Sequence, residues 1–507
     1  MIISLSVLVI TIIVSGTYAL YKAQLSKNIG VNTTTHGLAY YINYVKGTDI
    51  TAATLNPSTS YEGGASSDIE FWKKDDSYDI YGKIDLTVNT IGTNLSNSPA
   101  LKYAVVNNGN VLKEGSLKGT TSGSKVTILK NLYLEQTKQI YTVYVWLDNS
   151  EELGNISNES LSISVDCTAS LQKEPTAADT IISLYTSAAK VTATNNSITY
   201  NTAPSVSLMN DRLGGTTTSL DGGNIRYYGA SPNNYIYFNC SDYSNQTSST
   251  CETWRIIGVF DGKLKLIRGS QIGKYSWDNK NTSTGAEDNY GKNDWTTARL
   301  MKLLNPRDYY KVDSNDNNLG QSLYYNSASG KCYSGQNNAT VDCDFTSTGI
   351  KNDETRNMIA ETTYYLGGWN SYSVYPNEIY EYERGTTVYT GRPPTWPGKI
   401  ALAYPSDYGY AADLNQCKDK TLYYYDNSTC TSNNWMKAIL GTSSHGWLLT
   451  PYSGHSYYAW HVRSGGNVYS YLAYGAYGAV PVLSLSSELG IESGGDGSSS
   501  NPYKLSA

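Results

Sequence analysis

N-N-Y-I-Y-F-N at residues 233–239, followed by W-R-I-I-G-V-F-D-G-K-L-K-L-I-R at residues 254–268, decides how the larger part of this chain folds. Tyr235 to Phe238 reads as a strand, and Trp254 to Phe260 and Lys263 to Ile267 read as two more. Asp261-Gly262 joins the latter pair, and an Asp-Gly dipeptide between apolar runs is a tight-hairpin signal because both residues accept a positive φ. Three helices are legible around this hairpin. The first starts at Asp294 as N-cap and carries Leu300, Leu303 and Leu304 to a stop at Pro306. The second spans Asp353 to Leu366, with Met358, Ile359 and Leu366 inward and Gly367 as C-cap. The third runs from Asn434 to Leu440 and ends at Gly441. Further strands are expected at Ile400 to Ala403, Trp447 to Leu449 and Val480 to Leu485. Strands interleaved with short helices and long Gly-, Asn-, Ser- and Tyr-rich loops predict an α+β domain over residues 201–507.

Working back toward the N-terminus, residues 169–200 contain a polar stretch with Pro175 and a short helix at Asp179 to Lys190, which read as a linker. Residues 21–168 alternate in short runs: Ile84 to Val88, Leu101 to Val106, Tyr141 to Leu147 and Leu161 to Val165. Asn108-Gly109 supplies a hairpin, and the pattern predicts an all-β sandwich. The first 20 residues are apolar from Ile2 to Val14 and then pass through Ser15, Gly16, Thr17, Tyr18 and Ala19. They read as a signal peptide or a membrane anchor, that is, a transmembrane helix, with the small residues Thr17 and Ala19 favouring cleavage. The fold class is thus multidomain: leader or anchor, β-sandwich, α+β domain.

A chain of 507 residues exceeds what one core serves. Charged residues make up only 16% and the net charge is -6, so no basic field exists to attract nucleic acid. Tyr numbers 47 against 4 Phe. An apolar core has no need of so many hydroxyls, so much of the Tyr is expected at surfaces or half exposed. Six of the seven Cys fall in close pairs, Cys240 with Cys251, Cys332 with Cys343 and Cys417 with Cys430, each able to staple its own loop for about 3 kcal/mol. Their spacing does not suit a zinc ribbon, and such pairs imply an oxidising, extracellular compartment. Cys167, left over, reads as a small buried residue.

The quoted strands, with W-T-T-A-R-L-M-K-L-L-N (295–305), K-I-A-L-A-Y-P-S-D-Y-G-Y (399–410), W-L-L-T-P-Y-S (447–453), G-A-V-P-V-L-S-L (478–485) and the closing G-D-G-S-S-S-N-P-Y-K-L (495–505), resemble exported bacterial proteins whose C-terminal domain has the C-type lectin fold of the formylglycine-generating-enzyme type. The resemblance spans Ile225 to Leu505. It includes target proteins of diversity-generating retroelements, whose C-terminal segment is mutagenised at adenines to vary a binding surface. I-Y-T-V-Y-V-W-L-D and the S-G-T-Y-A leader are similar to camelysin-like sandwich domains over about a quarter of the chain. One departure is that Val480, not the Arg common in such proteins, precedes Pro481.

The segment Tyr452 to Tyr477 has the composition that such mutagenesis implies: Tyr452, Ser453, His455, Ser456, Tyr457, Tyr458, His461, Ser464, Asn467, Tyr469, Ser470, Tyr471, Tyr474 and Tyr477, set among Trp460, Val462 and Val468. Alternation places the variable types on one face and the apolar types on the other. A surface rich in Tyr, Ser, Gly and Asn is also what antibody-like binders use, since Tyr offers a rigid face and a hydroxyl at low entropic cost. The bland alternative is a pair of Tyr-rich strands that bind nothing. Tyr423 to Tyr425 read that way, as cover for the Cys430 loop.

His36, His445, His455 and His461 have no carboxylate or Cys at ligand spacing, so no metal is expected. Asp278, Glu287, Asp288 and Asp294 are a weak source of calcium ligands. No nucleophile elbow, P-loop or dinucleotide fingerprint occurs, so neither a cofactor nor an enzyme is expected. The resemblance to the oxidase stops short of its chemistry, because no Cys follows Cys430. The expectation is an extracellular or cell-surface bacterial adhesin or receptor for a protein or glycan ligand. The alternative is a structural surface or fibre protein, and membrane contact is expected only through an uncleaved leader.

Overall fold

The computed structural model describes residues 23–25, 41–52, 55–151, 153–156, 159–196, 198–213, 223–280, 289–311, 320–336, 338–442 and 444–506. The chain is multidomain, built mostly of separate β-sheets with a few short helices. It divides into two compact units, one running to Glu174 and the other Pro175–Ala507.

In the first unit two sheets share one core. One sheet orders Ala23–Leu25, Leu161–Ser170, Tyr81–Ile91 and Lys125–Tyr133, with Ile50–Ala52 also on Leu161–Ser170. The other orders Ile42–Val45, Ala65–Lys73, Ile140–Asp148, Leu101–Asn107 and Asn110–Ser116, with Pro57–Ser58 added in parallel. Period-2 alternation builds the core: Leu161, Ile163, Val165, Cys167 and Ala169 point in from one sheet, Tyr141, Val143 and Val145 from the other. Cys167 is thereby buried and unpaired, and burial pushes its thiol well above the usual range. Asn108 and Gly109 take φ of 50° and 76° at the turn between Leu101–Asn107 and Asn110–Ser116.

In the second unit a nine-stranded sheet carries the decisive hairpin at its centre. Its order is Val191–Asn195, Ile198–Ala203, Leu208–Asn210, Ile225–Tyr227, Glu252–Phe260, Lys263–Arg268, Val482–Ser484 and Ile400–Ala401, with Tyr235–Phe238 on Glu252–Phe260. Asp261 and Gly262 turn the hairpin at φ 48° and 71°. The helix Ala177–Ser187 belongs to this unit: Thr176 and Asp179 form a capping box, and Ala177, Ala178, Ile181 and Tyr185 pack into its core. A five-stranded sheet orders Gly273–Ser276, Ala476–Ala479, Gly446–Pro451, Tyr458–Val462 and Val468–Leu472. Disulfides join Cys240 to Cys251, Cys332 to Cys343 and Cys417 to Cys430.

Several expectations are corrected. The helix before Pro306 begins only at Arg299 and ends at Leu304, because Asp294 accepts from the backbone N and hydroxyl of Thr296 in a preceding turn. The second helix stops at Met358, and Thr362–Tyr365, β-branched and aromatic, pairs with Thr395–Gly398 instead. The third is one turn, Lys437–Leu440. Two helices that start with Pro, Pro376–Arg384 and Pro405–Tyr410, were not anticipated, although Pro at the first helical position is a start signal.

Much of the Tyr is half-buried or exposed among the described residues, as expected, but a substantial minority is buried. Tyr200, Tyr227, Tyr324, Tyr408 and Tyr425 are fully buried; Tyr408 Oη donates to Gly466 O at 2.6 Å, Tyr425 Oη to Gly409 O at 3.2 Å and Tyr200 Oη to Asn415 Oδ1 at 3.2 Å. A transmembrane helix, expected as one reading of the leader, is not found: among the described residues no helix is long and apolar enough to cross a membrane. The leader, residues 1–20, lies outside the described residues, as does His36.

Candidate functional site

Three strands, Gly446–Pro451, Tyr458–Val462 and Val468–Leu472, frame the Tyr-rich segment. Directly opposed residues on antiparallel strands share a face. His461 lies opposite both Trp447 and Tyr469, while Trp460 lies opposite Ser470 and is fully buried among Ala411, Ile439, Val462 and Val480.

The loop between the first two strands is held from below by Asn293, which is 1% exposed. Its amide Nδ2 donates to Tyr452 O at 3.0 Å, His455 O at 2.6 Å and Tyr458 O at 3.1 Å, and its backbone N donates to Ser456 O at 2.8 Å. Arg392 completes the brace, donating from Nε to Asn293 Oδ1 at 3.1 Å and from Nη2 to Ser456 O at 3.0 Å. An Arg therefore does support these loops, from a different place in the chain than Val480, which is itself buried.

On this frame the rings form a continuous track. Tyr474 lies 6.2 Å from Tyr290, Tyr290 5.1 Å from Tyr457, and Tyr457 5.3 Å from Tyr458. The track continues from Tyr458 to Tyr452 at 6.2 Å, to Tyr372 at 5.3 Å, to Tyr469 at 4.2 Å and to Tyr423 at 6.2 Å. A shorter arm links His461 to Tyr477 at 5.0 Å and Tyr477 to Tyr471 at 5.2 Å. Tyr372 Oη and Ser470 Oγ, 2.6 Å apart, share a hydrogen bond that ties the track to its strand.

Exposure along the segment is uneven. His455 and Tyr471 are exposed, and Tyr452, Ser453, Tyr457, Tyr458, Tyr469, Tyr474 and Tyr477 are half-buried. His461 and Asn467, expected on the variable face, are instead buried at 1% and 8%, as are Ser456 and Ser470. His461 is covered because Trp447, Tyr471 and Tyr477 all bring their rings to it. Burial, then His445 and Arg463, hold its imidazole well below the ordinary range, so it stays neutral. Burial likewise lowers His445, whose Nδ1 accepts from Ser464 N at 3.1 Å. Burial pushes the Tyr477 phenol up to about 12, so it remains a donor at neutral pH.

Tyr290, Tyr372 and Tyr423 join the track from elements remote in sequence, and the sequence reading missed them or set them aside. Tyr290 and Tyr372 stand among short polar residues, N-Y-G and S-Y-S, a faint signal that many other Tyr in the chain also give, and Tyr423 sits in L-Y-Y with no such signal. Tyr423 and Tyr424 are exposed, whereas Tyr425 is buried against Tyr408. Among the described residues no three His, Cys, Asp or Glu side chains are placed to hold a metal ion. Of the weak calcium candidates, Asp278 is buried and accepts from Lys292 N at 2.8 Å, Asp294 is engaged with Thr296, and Glu287 and Asp288 lie outside the described residues.

No protein-family model matches the chain, and no curated protein matches it in sequence.

Proposed function

We propose that this is an exported bacterial ligand-binding protein, an adhesin or receptor, whose second unit has the C-type lectin fold and presents the tyrosine track to an extracellular protein or glycan. The observation that carries the reading is the track itself: rings from four separate stretches of chain, partly exposed and in mutual contact, with the loop that bears Tyr452, Tyr457 and Tyr458 braced from within by Asn293 and Arg392. Rigid aromatic faces bind at small entropic cost. The Tyr, Ser and His content of Tyr452 to Tyr477 further supports a surface diversified by a retroelement. The role is binding rather than catalysis.

The test is a screen of the labelled chain against arrays of glycans and secreted proteins, followed by titration of each hit with Tyr471→Ala and Tyr372→Ala. An anchoring ring is worth about 2 kcal/mol, thirty-fold in affinity. Hits that bind both variants as they bind the parent chain refute the reading. Diversification has its own check, a near-copy of the codons for Tyr452 to Val482 beside the gene, differing only at adenines.

A further inference from the structure

Away from the tyrosine track, the second unit contains a cavity of about 450 Å³. Its position follows from the decisive hairpin: Phe260, Asp261, Lys263 and Lys265 come from the two hairpin strands and their turn, and Tyr364 and Tyr365 from the strand that replaced an expected helix. Tyr380 and Arg384 come from the helix Pro376–Arg384, and Tyr404 immediately precedes Pro405–Tyr410. The floor is buried, with Lys265, Asn224, Tyr364, Tyr380 and Tyr404 all under 9% exposed. Asp261, Glu361 and Thr363 at the rim are exposed. Cavities of about 300–1,000 Å³ with apolar walls and a few convergent polar groups are the usual form of a small-molecule site.

The charges lining it are not equivalent. Lys265 is committed, its Nζ 2.5 Å from Asp407 Oδ2, and Asp407 also receives Arg226 Nη1 at 3.1 Å. Arg384 is not. Its guanidinium stacks on Tyr380 with the carbon 3.4 Å from the ring centre, and Tyr365 and Tyr404 stand at 5.1 and 5.6 Å. Among the described residues its only hydrogen bonds, both from Nη1, are weak, to Tyr380 O at 3.3 Å and to Glu383 Oε2 at 3.4 Å, so Nε and Nη2 make none there. Glu383 is claimed by Ser406, whose N donates to it at 2.9 Å and whose Oγ donates at 2.5 Å. Burial also pushes the Glu383 carboxyl up to about 7, which leaves Arg384 incompletely neutralised. A guanidinium held flat by stacking, with its Nε and Nη2 edge open, is a preformed fork for a carboxylate.

The remaining lining selects the body of the ligand. Aromatic faces of Tyr364, Tyr365 and Tyr404 suit the C–H face of a saturated ring. Thr363 and Ser484 offer donors and acceptors, the rim carboxylates Asp261 and Glu361 accept hydroxyls while disfavouring a purely apolar anion, and Asn224, whose Nδ2 donates to Asp211 and Tyr380, belongs to the floor. We propose that this cavity is a second ligand site, for a sugar acid whose carboxylate is taken by Arg384 and whose ring lies against the tyrosines.

The site is independent of the tyrosine track, and its test is calorimetric titration of the full chain with D-glucuronate, D-glucose and benzoate. Glucuronate is expected to bind at least tenfold more tightly than either control, Arg384→Gln to weaken it at least tenfold, and Tyr471→Ala to leave it unchanged. Failure of glucuronate to bind, or glucose or benzoate binding as well, overturns the proposal. Should Arg384→Gln not fold, Thr363→Trp at the exposed rim replaces it. Loss of glucuronate binding in that folded variant supports the site, and full retention overturns it. Binding lost in Tyr471→Ala but not in the cavity variants would place the sugar on the tyrosine track and overturn the cavity assignment.

Discussion

Asn293→Ala isolates the brace beneath the binding loop. The amide supplies two N–H groups to three carbonyls of residues 452–458, at 2.6 to 3.1 Å, and its oxygen accepts from Arg392. Each such bond has a net worth of about 0.5–1.5 kcal/mol, and Tyr452 O and Tyr458 O keep backbone donors without the amide, so removing the side chain costs about 2–3 kcal/mol locally. Because each 1.4 kcal/mol is tenfold, amides in 452–458 should exchange with solvent about 30- to 150-fold faster, with little change in the first unit. Asn293→Asp sharpens the argument. It keeps the acceptor for Arg392 but sets a carboxylate against three carbonyl oxygens, so it should be at least as damaging as Ala. Hydrogen exchange read by mass spectrometry measures both variants. Unchanged exchange in 452–458 for Ala, or an Asp variant as protected as the parent, would refute the brace.

Trp460→Ala should cost about 3–5 kcal/mol, because its ring is fully buried, whereas Tyr471→Ala, 40% exposed, should stay within about 0.5 kcal/mol; thermal unfolding compares them, and equal losses would contradict the division into faces. Asp407→Asn strips the shared counter-charge from Arg226 and Lys265, both buried, and should destabilise the second unit by about 3–5 kcal/mol in denaturant titration, far more than a comparable change at the exposed Asp426. Glu383 titrates near 7 when folded against 4.5 ordinarily, so the folded state retains a proton that the unfolded state has released between those values. Stability of the second unit should therefore fall as pH rises from about 4.5 to 7, by up to about 3 kcal/mol, and Glu383→Gln should flatten the dependence. Asp278, raised to about 6 by burial, acts in the same direction and leaves a residual slope.

What the sequence determined by itself is local. The Asp261-Gly262 and Asn108-Gly109 turns were legible because a positive φ restricts residue type, and the strands beside them because period-2 alternation is written directly into neighbouring residues. Cysteines 11 to 13 positions apart likewise declared themselves. Helix extents were not legible: the turn at Asp294 and the pairing of Thr362–Tyr365 with Thr395–Gly398 override a helical pattern through partners distant in sequence. The same limit governs the sites. Composition pointed to Tyr452–Tyr477, but only the fold brings Tyr290, Tyr372 and Tyr423 to it and covers His461. The cavity at Arg384 left no mark in the sequence, because its donors, rings and carboxylates come from six separate stretches between Asn224 and Ser484. Turn chemistry and alternation depend on adjacent residues, whereas burial and ring contact depend on which distant segments meet, and that is decided by tertiary packing.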